Sequence, residues 1–263
     1  MTSALSKMQT AVKIDQVTVH RRPQASDLIE VRTAEGIIGH GEGAWGEPAL
    51  RGDSKLVIGR SAFEVEAIFE DLAASGEVPG GLDIALWDLV GQALAMPVSQ
   101  VLGKTHRDKV LVSTSFEETP VPDGGLAGYR RLRESSTEPI AGGLSLAPET
   151  LLRDLVQTEL VDIAVQDVGR CGLTGLRRLA YFCWLFRVRL VPCCSGGPIG
   201  MAAALHAAAC IPPVTNAIAA PPVFLVAPGA VAGEMEVPRS PGLGIALAPI
   251  AGTPYFEIGG ERC

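Results

Sequence analysis

The residues best suited to chemistry are two adjacent thiols, Cys193 and Cys194. They follow the apolar stretch VRLVP and precede SGGPIG, a glycine-rich turn that begins with Ser195. α/β enzymes place catalytic groups where strands end in this way. A thiolate is a competent base or nucleophile when a helix N-terminus lowers its pKa, and a helix is predicted directly after this turn. The alternative is a pair of small buried residues with no chemical role.

A second polar pair, Asp167 and Arg170, follows the apolar stretch VDIAV in the segment QDVGRCG. One interpretation is an acid/base and carboxylate-binding pair, and the other is a salt bridge that ties the strand to its loop. If the two strands are adjacent, Asp167 would orient Cys193 or share its proton. A neighbouring carboxylate would, however, raise the pKa of that thiol.

Other candidates lie outside these two strand ends. Glu117 and Glu118 in FEETP would act as a general acid or base if desolvated, or form a solvated linker. His40 and Trp45 in IIGHGEGAWGEP are further candidates, for which a family resemblance implies a pocket-lining role, with packing or an interface as the alternative for Trp45. His206, within an alanine-rich helix, is predicted to be a hydrogen-bonded core histidine.

The elements that must position these residues fall into two patterns. Residues 12–108 predict a β-meander followed by helices: a strand at 12–22, a hairpin at 27–43 that turns at Ala34–Gly36, and helices at 61–74, with Ser61 as N-cap, and 80–98. From residue 109 onwards, strands at 110–115, 139–143, 161–167 and 188–193 alternate with helices at 125–136, 148–159, 173–186 and 200–211. This alternation predicts parallel βα units after an α+β cap.

Composition narrows the function classes. The chain has 263 residues and a net charge of −7 with no basic cluster, which argues against nucleic acid and acidic membranes as partners. It has no apolar run long enough for a membrane span and no signal-peptide pattern, so a cytoplasmic location is expected. Six cysteines without a CxxC motif indicate neither a disulfide scaffold nor a zinc site.

Six stretches resemble the mandelate racemase and muconate lactonizing branch of the enolase superfamily. They are EGIIGHGEG, GGLDIALWDLVGQALAMPVSQVLGK, GYRRLRESSTEPIAGG, VDIAVQDVGRCGLTGLRRLA, PCCSGGPIGMAAALHAAA and VPRSPGLGIALAP. The resemblance covers most of residues 12–250. It implies a capping domain at 12–108, to which residues 237–258 return, and a (β/α) barrel domain at 109–236. In this family three carboxylates hold a Mg²⁺ ion that stabilises an enolate.

The chain departs from the family pattern in its barrel. Only about 140 residues follow the cap, whereas a complete barrel needs roughly 250, so about two strands, a Lys-x-Lys motif and one metal-binding Asp are missing. Cys193 stands at the position of the catalytic histidine, and Asp167 matches that histidine's partner. By the same resemblance, Glu117 or Glu118 falls at the second metal carboxylate, Leu144 replaces the third, and Ala217 replaces an acidic residue of the last strand.

These departures imply a repurposed, metal-independent enzyme that acts on a small metabolite by proton transfer, through isomerisation, cyclisation or dehydration, as in specialised biosynthesis. The alternative is a non-catalytic protein that binds a small ligand or a protein partner. No metal and no cofactor are expected, and a homodimer is expected to cover the open barrel edge. The predicted catalytic residues are Asp167, Cys193, Cys194 and Glu117, and the predicted substrate-binding residues are Arg170, His40, Trp45 and Ser195.

Overall fold

A computed structural model describes most of the chain. The described residues are 12–22, 26–43, 55–76, 80–112, 122–143, 149–194, 196–211, 233–247 and 256–259. Within them an α+β unit is followed by βα units, which confirms the predicted fold class. None of the helices in these ranges is long and apolar enough to cross a membrane.

The first unit is built on an antiparallel sheet of four strands, β1 (Ile14–His20), β2 (Leu28–Thr33), β3 (Ile38–Glu42) and β9 (Phe256–Gly259). Their order in the sheet is β3-β2-β1-β9. The hairpin of β2 and β3 turns between Thr33 and Ile38, as its sequence predicts. Alternation along the strands gives one apolar face and one face that carries His20, Glu30, His40 and Glu42.

Three helices complete this cap: α1 (Val65–Ser75), α2 (Gly80–Ala93) and α3 (Val98–Leu102). Ser61 is an N-cap as predicted, although it caps a short 3₁₀ helix, Ala62–Glu64, that precedes α1. Helix α2 is shorter than the predicted 80–98. Its residues 80–91 are all buried, which explains a sequence that is apolar on nearly every side.

Helix α2 and strand β3 approach each other closely because glycines face the helix. A Cβ atom at Gly39 would overlap the carbonyl of Ala85, and one at Gly41 would overlap the carbonyl of Gly81. β3 is the outer strand of the sheet, and side chains of the same helix bind its unpaired backbone groups. Asp88 accepts a hydrogen bond from the His40 N–H at 2.9 Å, and Gln92 donates one to the Ile38 carbonyl at 2.8 Å. The end of β3 is thereby fixed against α2.

The second unit contains the parallel strands β5 (Ala141–Gly142), β6 (Ile163–Asp167) and β7 (Arg189–Cys193), in that order. Its helices are α4 (Leu126–Ser135), α5 (Glu149–Gln157), α6 (Val168–Leu185) and α7 (Pro198–Cys210). Strand β4 (Lys109–Leu111) pairs antiparallel with β8 (Glu234–Glu236). A parallel arrangement of the strand predicted at 110–115 is therefore wrong for its described part, because periodicity identifies a strand but not its partner.

Helix α6 begins at Val168, five residues before the predicted start, and is kinked at Gly172, whose φ is 69°. Helix α2 packs between the cap sheet and α6, and one hydrophobic core cluster contains residues of both units.

His206 of α7 lies in this core as predicted. It accepts a hydrogen bond from Ser99 N–H at 3.1 Å and contacts the Leu243 carbonyl at 3.1 Å, and burial lowers its pKa to about 4.

Candidate active site

Asp167 and Cys193 lie side by side at the C-terminal ends of two adjacent parallel strands. They are register partners of β6 and β7, and they are only 3% and 2% exposed. This adjacency is what the resemblance implies for the two positions. In parallel α/β structures this edge of the sheet is where reacting groups converge.

Asp167 also has a structural task at the start of α6. It is the N-cap residue of that helix, and its Oδ1 accepts a hydrogen bond from the Gly169 N–H at 2.7 Å. A capping carboxylate is stabilised by the helix dipole and held in one orientation. The sequence allowed either an acid/base role or a local structural role, and this geometry is compatible with both.

Glu42, at the end of the cap hairpin, lies close to the same C-terminal strand ends. Its buried carboxylate accepts a hydrogen bond at Oε2 from the Gly200 N–H, at 3.0 Å, in the first turn of α7. Its Oε1 forms an ion pair with Arg22, whose side chain is one-third exposed. Gly196 and Gly197 pack directly against this carboxylate. Glu42 therefore occupies the place at the N-terminus of α7 where an anion is stabilised.

Cys194 is buried between these carboxylates. Its Sγ lies 3.6 Å from the Gly197 carbonyl, to which it donates. Burial raises the pKa of the Cys194 thiol, and the charges of Asp167 and Glu42 raise it further. The N-terminus of α7 does not lower the pKa of this thiol below its usual range, because burial and the charges of the two carboxylates outweigh it. The catalytic role of Cys194 stays a prediction.

The cap histidine predicted to line a pocket belongs to a polar network of the sheet. His40 forms ion pairs with Glu30 at 3.5 Å and with Asp88 at 3.8 Å. Burial alone would lower the pKa of His40, but these two carboxylates raise it to about 9. These partners place His40 in the charge network of the cap, whereas Glu42, two residues later, contacts the barrel.

Of the remaining predicted site residues, one is exposed and the others lie outside the described residues. Arg170 lies in the first turn of α6 and is exposed, three residues after Asp167. Glu117, Trp45 and Ser195 lie outside the described residues, and their roles stay predictions.

The sequence reading missed Glu42 and Arg22. The signal for Glu42 was present in GHGEG, where glycines alternate with His40 and Glu42 and place both on one face of the strand. Nothing in that pattern shows that Glu42 reaches a turn some 150 residues further along the chain, because the contact with Gly200 is tertiary. Arg22 could not be identified because its partner was unknown.

The described residues do not fit the family's Mg²⁺ site. Within those ranges, no group of three or more His, Cys, Asp or Glu side chains is arranged to hold a metal ion. The two carboxylates near the strand ends are engaged by N–H groups and, for Glu42, by Arg22. Mg²⁺ needs oxygen ligands in near-octahedral geometry. Glu118, Leu144 and Ala217 lie outside the described residues.

Two curated relatives match part of the chain. A D-galactonate dehydratase of Pectobacterium atrosepticum is 32% identical over 143 residues, which is 47% of this chain and 36% of that protein. A D-galactonate dehydratase of Verminephrobacter eiseniae is 31% identical over 119 residues, 38% of this chain and 30% of that protein. The aligned stretch therefore spans about a third of these relatives' own length.

Solved structures share the fold at low sequence identity. An enolase protein from Sargasso Sea environmental sequencing has a TM-score of 0.78 at 20% identity and covers 95% of this chain and 100% of its own. The 3,6-anhydro-D-galactonate cycloisomerase of Zobellia galactanivorans has a TM-score of 0.73 at 20% identity, covering 88% of this chain and 96% of its own.

Family models cover both units of the chain. The model described as "Mandelate racemase / muconate lactonizing enzyme, N-terminal domain" matches residues 2–103, and the model described as "Enolase C-terminal domain-like" matches residues 110–251. The stretches that resembled this family are thus matched in the expected order, cap first and barrel second. The chain belongs to the mandelate racemase and muconate lactonizing branch of the enolase superfamily.

Proposed function

We propose that this chain is a proton-transfer enzyme that isomerises, cyclises or dehydrates a small sugar acid. The observation that carries the proposal is the register pairing of Asp167 with Cys193 at the C-terminal ends of β6 and β7. The substrate class follows the names of the partial relatives, which are D-galactonate dehydratases, and of one structural neighbour, a 3,6-anhydro-D-galactonate cycloisomerase.

In the proposed reaction, the Asp167 carboxylate removes the proton from the carbon beside the substrate carboxylate. The thiol of Cys193 donates its proton to the departing β-hydroxyl group, which leaves as water, and the enol product tautomerises to a 2-keto acid. Asp167 then releases its proton to solvent, and the Cys193 thiolate recovers a proton from solvent. Arg170, exposed in the first turn of α6, binds the substrate carboxylate as its negative charge grows. For an isomerisation, the proton returns to the substrate and no water leaves.

Substrate access in this proposal requires a movement of the cap. Both proton-transfer groups are almost fully buried, and the Glu42–Gly43 end of the hairpin packs against Gly169 and the turn before α7. Because β3 is fixed against α2, the cap sheet and α2 would withdraw together and expose the strand ends, and their return would exclude water from the reacting groups. Glu42 is thus a positioning residue in this scheme, since it holds the cap against the barrel.

The proposal assigns no metal to the reaction. Support comes from Leu144, which the resemblance places at a metal-carboxylate position, and from the engagement of the two described carboxylates by N–H groups and Arg22. The role predicted for Glu117 as a further acid or base is retained. We expect activity to survive dialysis against EDTA and to be unchanged by added Mg²⁺.

The test is solvent deuterium incorporation, followed by ¹H NMR in D₂O. The full chain is incubated with D-galactonate and a panel of other aldonates. The wild type is expected to exchange the proton beside the carboxylate of at least one of them and to form product. Asp167→Asn is expected to slow this exchange, and both Asp167→Asn and Cys193→Ala are expected to slow product formation, each at least ~100-fold. Cys183→Ala is the matched control, because Cys183 is an equally buried thiol in α6 away from the strand ends.

The second candidate is a non-catalytic protein that binds a small ligand or a protein partner. The observation in its favour is that Glu42, Arg22 and the N-terminus of α7 already satisfy one another. If a sugar acid binds with a measurable heat but no aldonate in the panel exchanges deuterium, the catalytic proposal is wrong and binding is the function.

We further propose a homodimer that covers the open edge of the barrel. The described residues contain three parallel strands in the order β5-β6-β7, and an exposed strand edge pairs readily with another chain unless it is covered. Light scattering at micromolar concentration tests this, and a monodisperse monomer contradicts it. The cytoplasmic location and a role in specialised biosynthesis remain predictions from the sequence.

A further inference from the structure

A pocket of about 330 Å³ lies where the cap meets the barrel helices, and it belongs to neither strand end. Its lining comes from the segment after α3, from α6 and from the C-terminal end of α7. Among them, Lys104 follows α3, Tyr181 and Trp184 lie on α6, and Ile211 follows α7. Helices that follow parallel strands run back along the sheet. The C-terminal parts of α6 and α7 therefore lie at the end opposite to Asp167 and Cys193.

The rim of this pocket carries two exposed aromatic side chains. Tyr181 is 69% exposed and Trp184 is 61% exposed, one turn apart on α6. The chain has only three tryptophans and three tyrosines, so a third of them stand on this rim. The floor is apolar and buried, formed by Leu102, Ala180 and Ile211. Exposed aromatics beside an apolar floor are suited to stacking on a flat ring.

The charges around the pocket have one sign. Lys104 and Arg177 line it, and none of its lining residues is acidic, although the whole chain carries a net charge of −7. Arg177 is already shared with Glu66 of α1 and lies 5.5 Å from the ring of Trp87. Lys104 is exposed and forms no ion pair with any described residue. The bound group is therefore expected to be an anion.

We propose that this pocket is a second ligand site, which takes a small planar aromatic carboxylate. Its ring lies on the apolar floor between Tyr181 and Trp184, and its carboxylate faces Lys104 and Arg177. The volume is at the small end of the roughly 300–1,000 Å³ typical of ligand pockets, which suits one or two fused rings. The ligand bridges the segment after the cap and two barrel helices. This site does not depend on the function proposed for the strand ends.

The experiment is calorimetric titration of 1-naphthoate into the full chain at pH 7. Saturable binding of one molecule per chain is expected, and the uncharged analogue 1-naphthalenemethanol is expected to bind at least ~5-fold more weakly. Trp184→Ala should weaken naphthoate binding about tenfold. Lys104→Gln, at an exposed position, should weaken it about threefold.

Leu185→Ala provides the matched control. Leu185 is 69% exposed on the same helix but does not line the pocket, so binding should be unchanged. The proposal is overturned if no saturable heat is observed, or if Leu185→Ala weakens binding as much as Trp184→Ala. It is also overturned if sedimentation shows that chains associate through this face, with Trp184→Ala converting dimers to monomers, because the patch would then be a contact between copies.

Discussion

Two close contacts are packed in different ways: that of β3 with α2 in the cap, and that of the end of β3 with the turn before α7. In the cap, β3 contacts α2 backbone to backbone, because glycines at positions 39 and 41 remove the side chains that would separate them. Where the turn before α7 meets the end of β3, the side chains of Glu42 and Cys194 fill the space instead. A backbone contact tolerates no added atom, whereas a side-chain contact can rearrange. The contact between β3 and α2 is thus rigid, whereas the side-chain contacts around the turn before α7 can adjust.

The largest change in the free energy of unfolding is expected from a substitution that breaks the backbone contact between β3 and α2. Gly41→Ala places a methyl group against the Gly81 carbonyl, and neither backbone can move without separating β3 from α2. We expect a loss of at least about 4 kcal/mol in the free energy of unfolding, or no folded protein. Urea denaturation followed by circular dichroism measures this.

A paired substitution at the strand ends sharpens the comparison. In Gly200→Ala the new Cβ would lie 2.5 Å from the Cys194 Sγ, a side-chain atom that can shift. Alanine also has the higher helix propensity within α7, by about 1 kcal/mol, so a net loss below about 2 kcal/mol is expected. Gly103→Ala, where the added atom meets open space, is the control and should change little. Equal losses at Gly41 and Gly200 would contradict the comparison.

The next effect lies where cap and barrel meet. Asp83 of α2 accepts a hydrogen bond from the Thr174 N–H at 2.9 Å, while its Oδ1 has no partner among the described residues. Burial raises the pKa of Asp83 to about 6. Since this value lies above that of the unfolded chain, protonation stabilises the folded state. That stability is complete below pH ~4 and is lost as the pH rises through 6.

Asp83→Asn should remove this loss. Relative to the wild type, the variant is expected to gain about 2 kcal/mol in free energy of unfolding between pH 4.5 and pH 7.5. Urea titrations at the two pH values measure the change. A difference between the proteins that stays constant with pH would mean that Asp83 is ionised at both values.

The smallest effect concerns the end of a helix. Helix α1 of the cap ends at Gly76, whose φ is 117°, while α6 of the barrel is followed by Arg187 at a φ of 57°. Arg187 is exposed, and its left-handed conformation favours glycine. Arg187→Gly should therefore stabilise the chain by about 0.5–1 kcal/mol in urea denaturation. Destabilisation would show that the arginine stem packs on the barrel. Ala95 and Glu159 share this conformation, so the strain is not confined to the barrel.

The parts predictable from sequence are those in which local pattern determines local structure. The hairpin of β2 and β3 follows from alternation around a Gly36 turn, and the buried helix α2 follows from an apolar sequence without a polar face. The side-by-side placement of Asp167 and Cys193 follows from two consecutive βα units. The antiparallel partner of β4 and the reach of Glu42 to Gly200 could not be predicted, because both contacts join segments more than 100 residues apart. Burial is the main cause of the raised pKa of the Cys194 thiol, and the charges of Asp167 and Glu42 add to it.

The most direct test of the central claim is a double-mutant cycle on the rate of product formation, with Asp167→Asn, Cys193→Ala and the double variant. Two groups that transfer protons to and from one substrate act as a unit, so each single variant should lose nearly as much activity as the double variant. Thermal unfolding of each variant verifies that it is folded. If the two losses add in free energy, or if Cys193→Ala retains full activity, Asp167 and Cys193 do not form one catalytic pair.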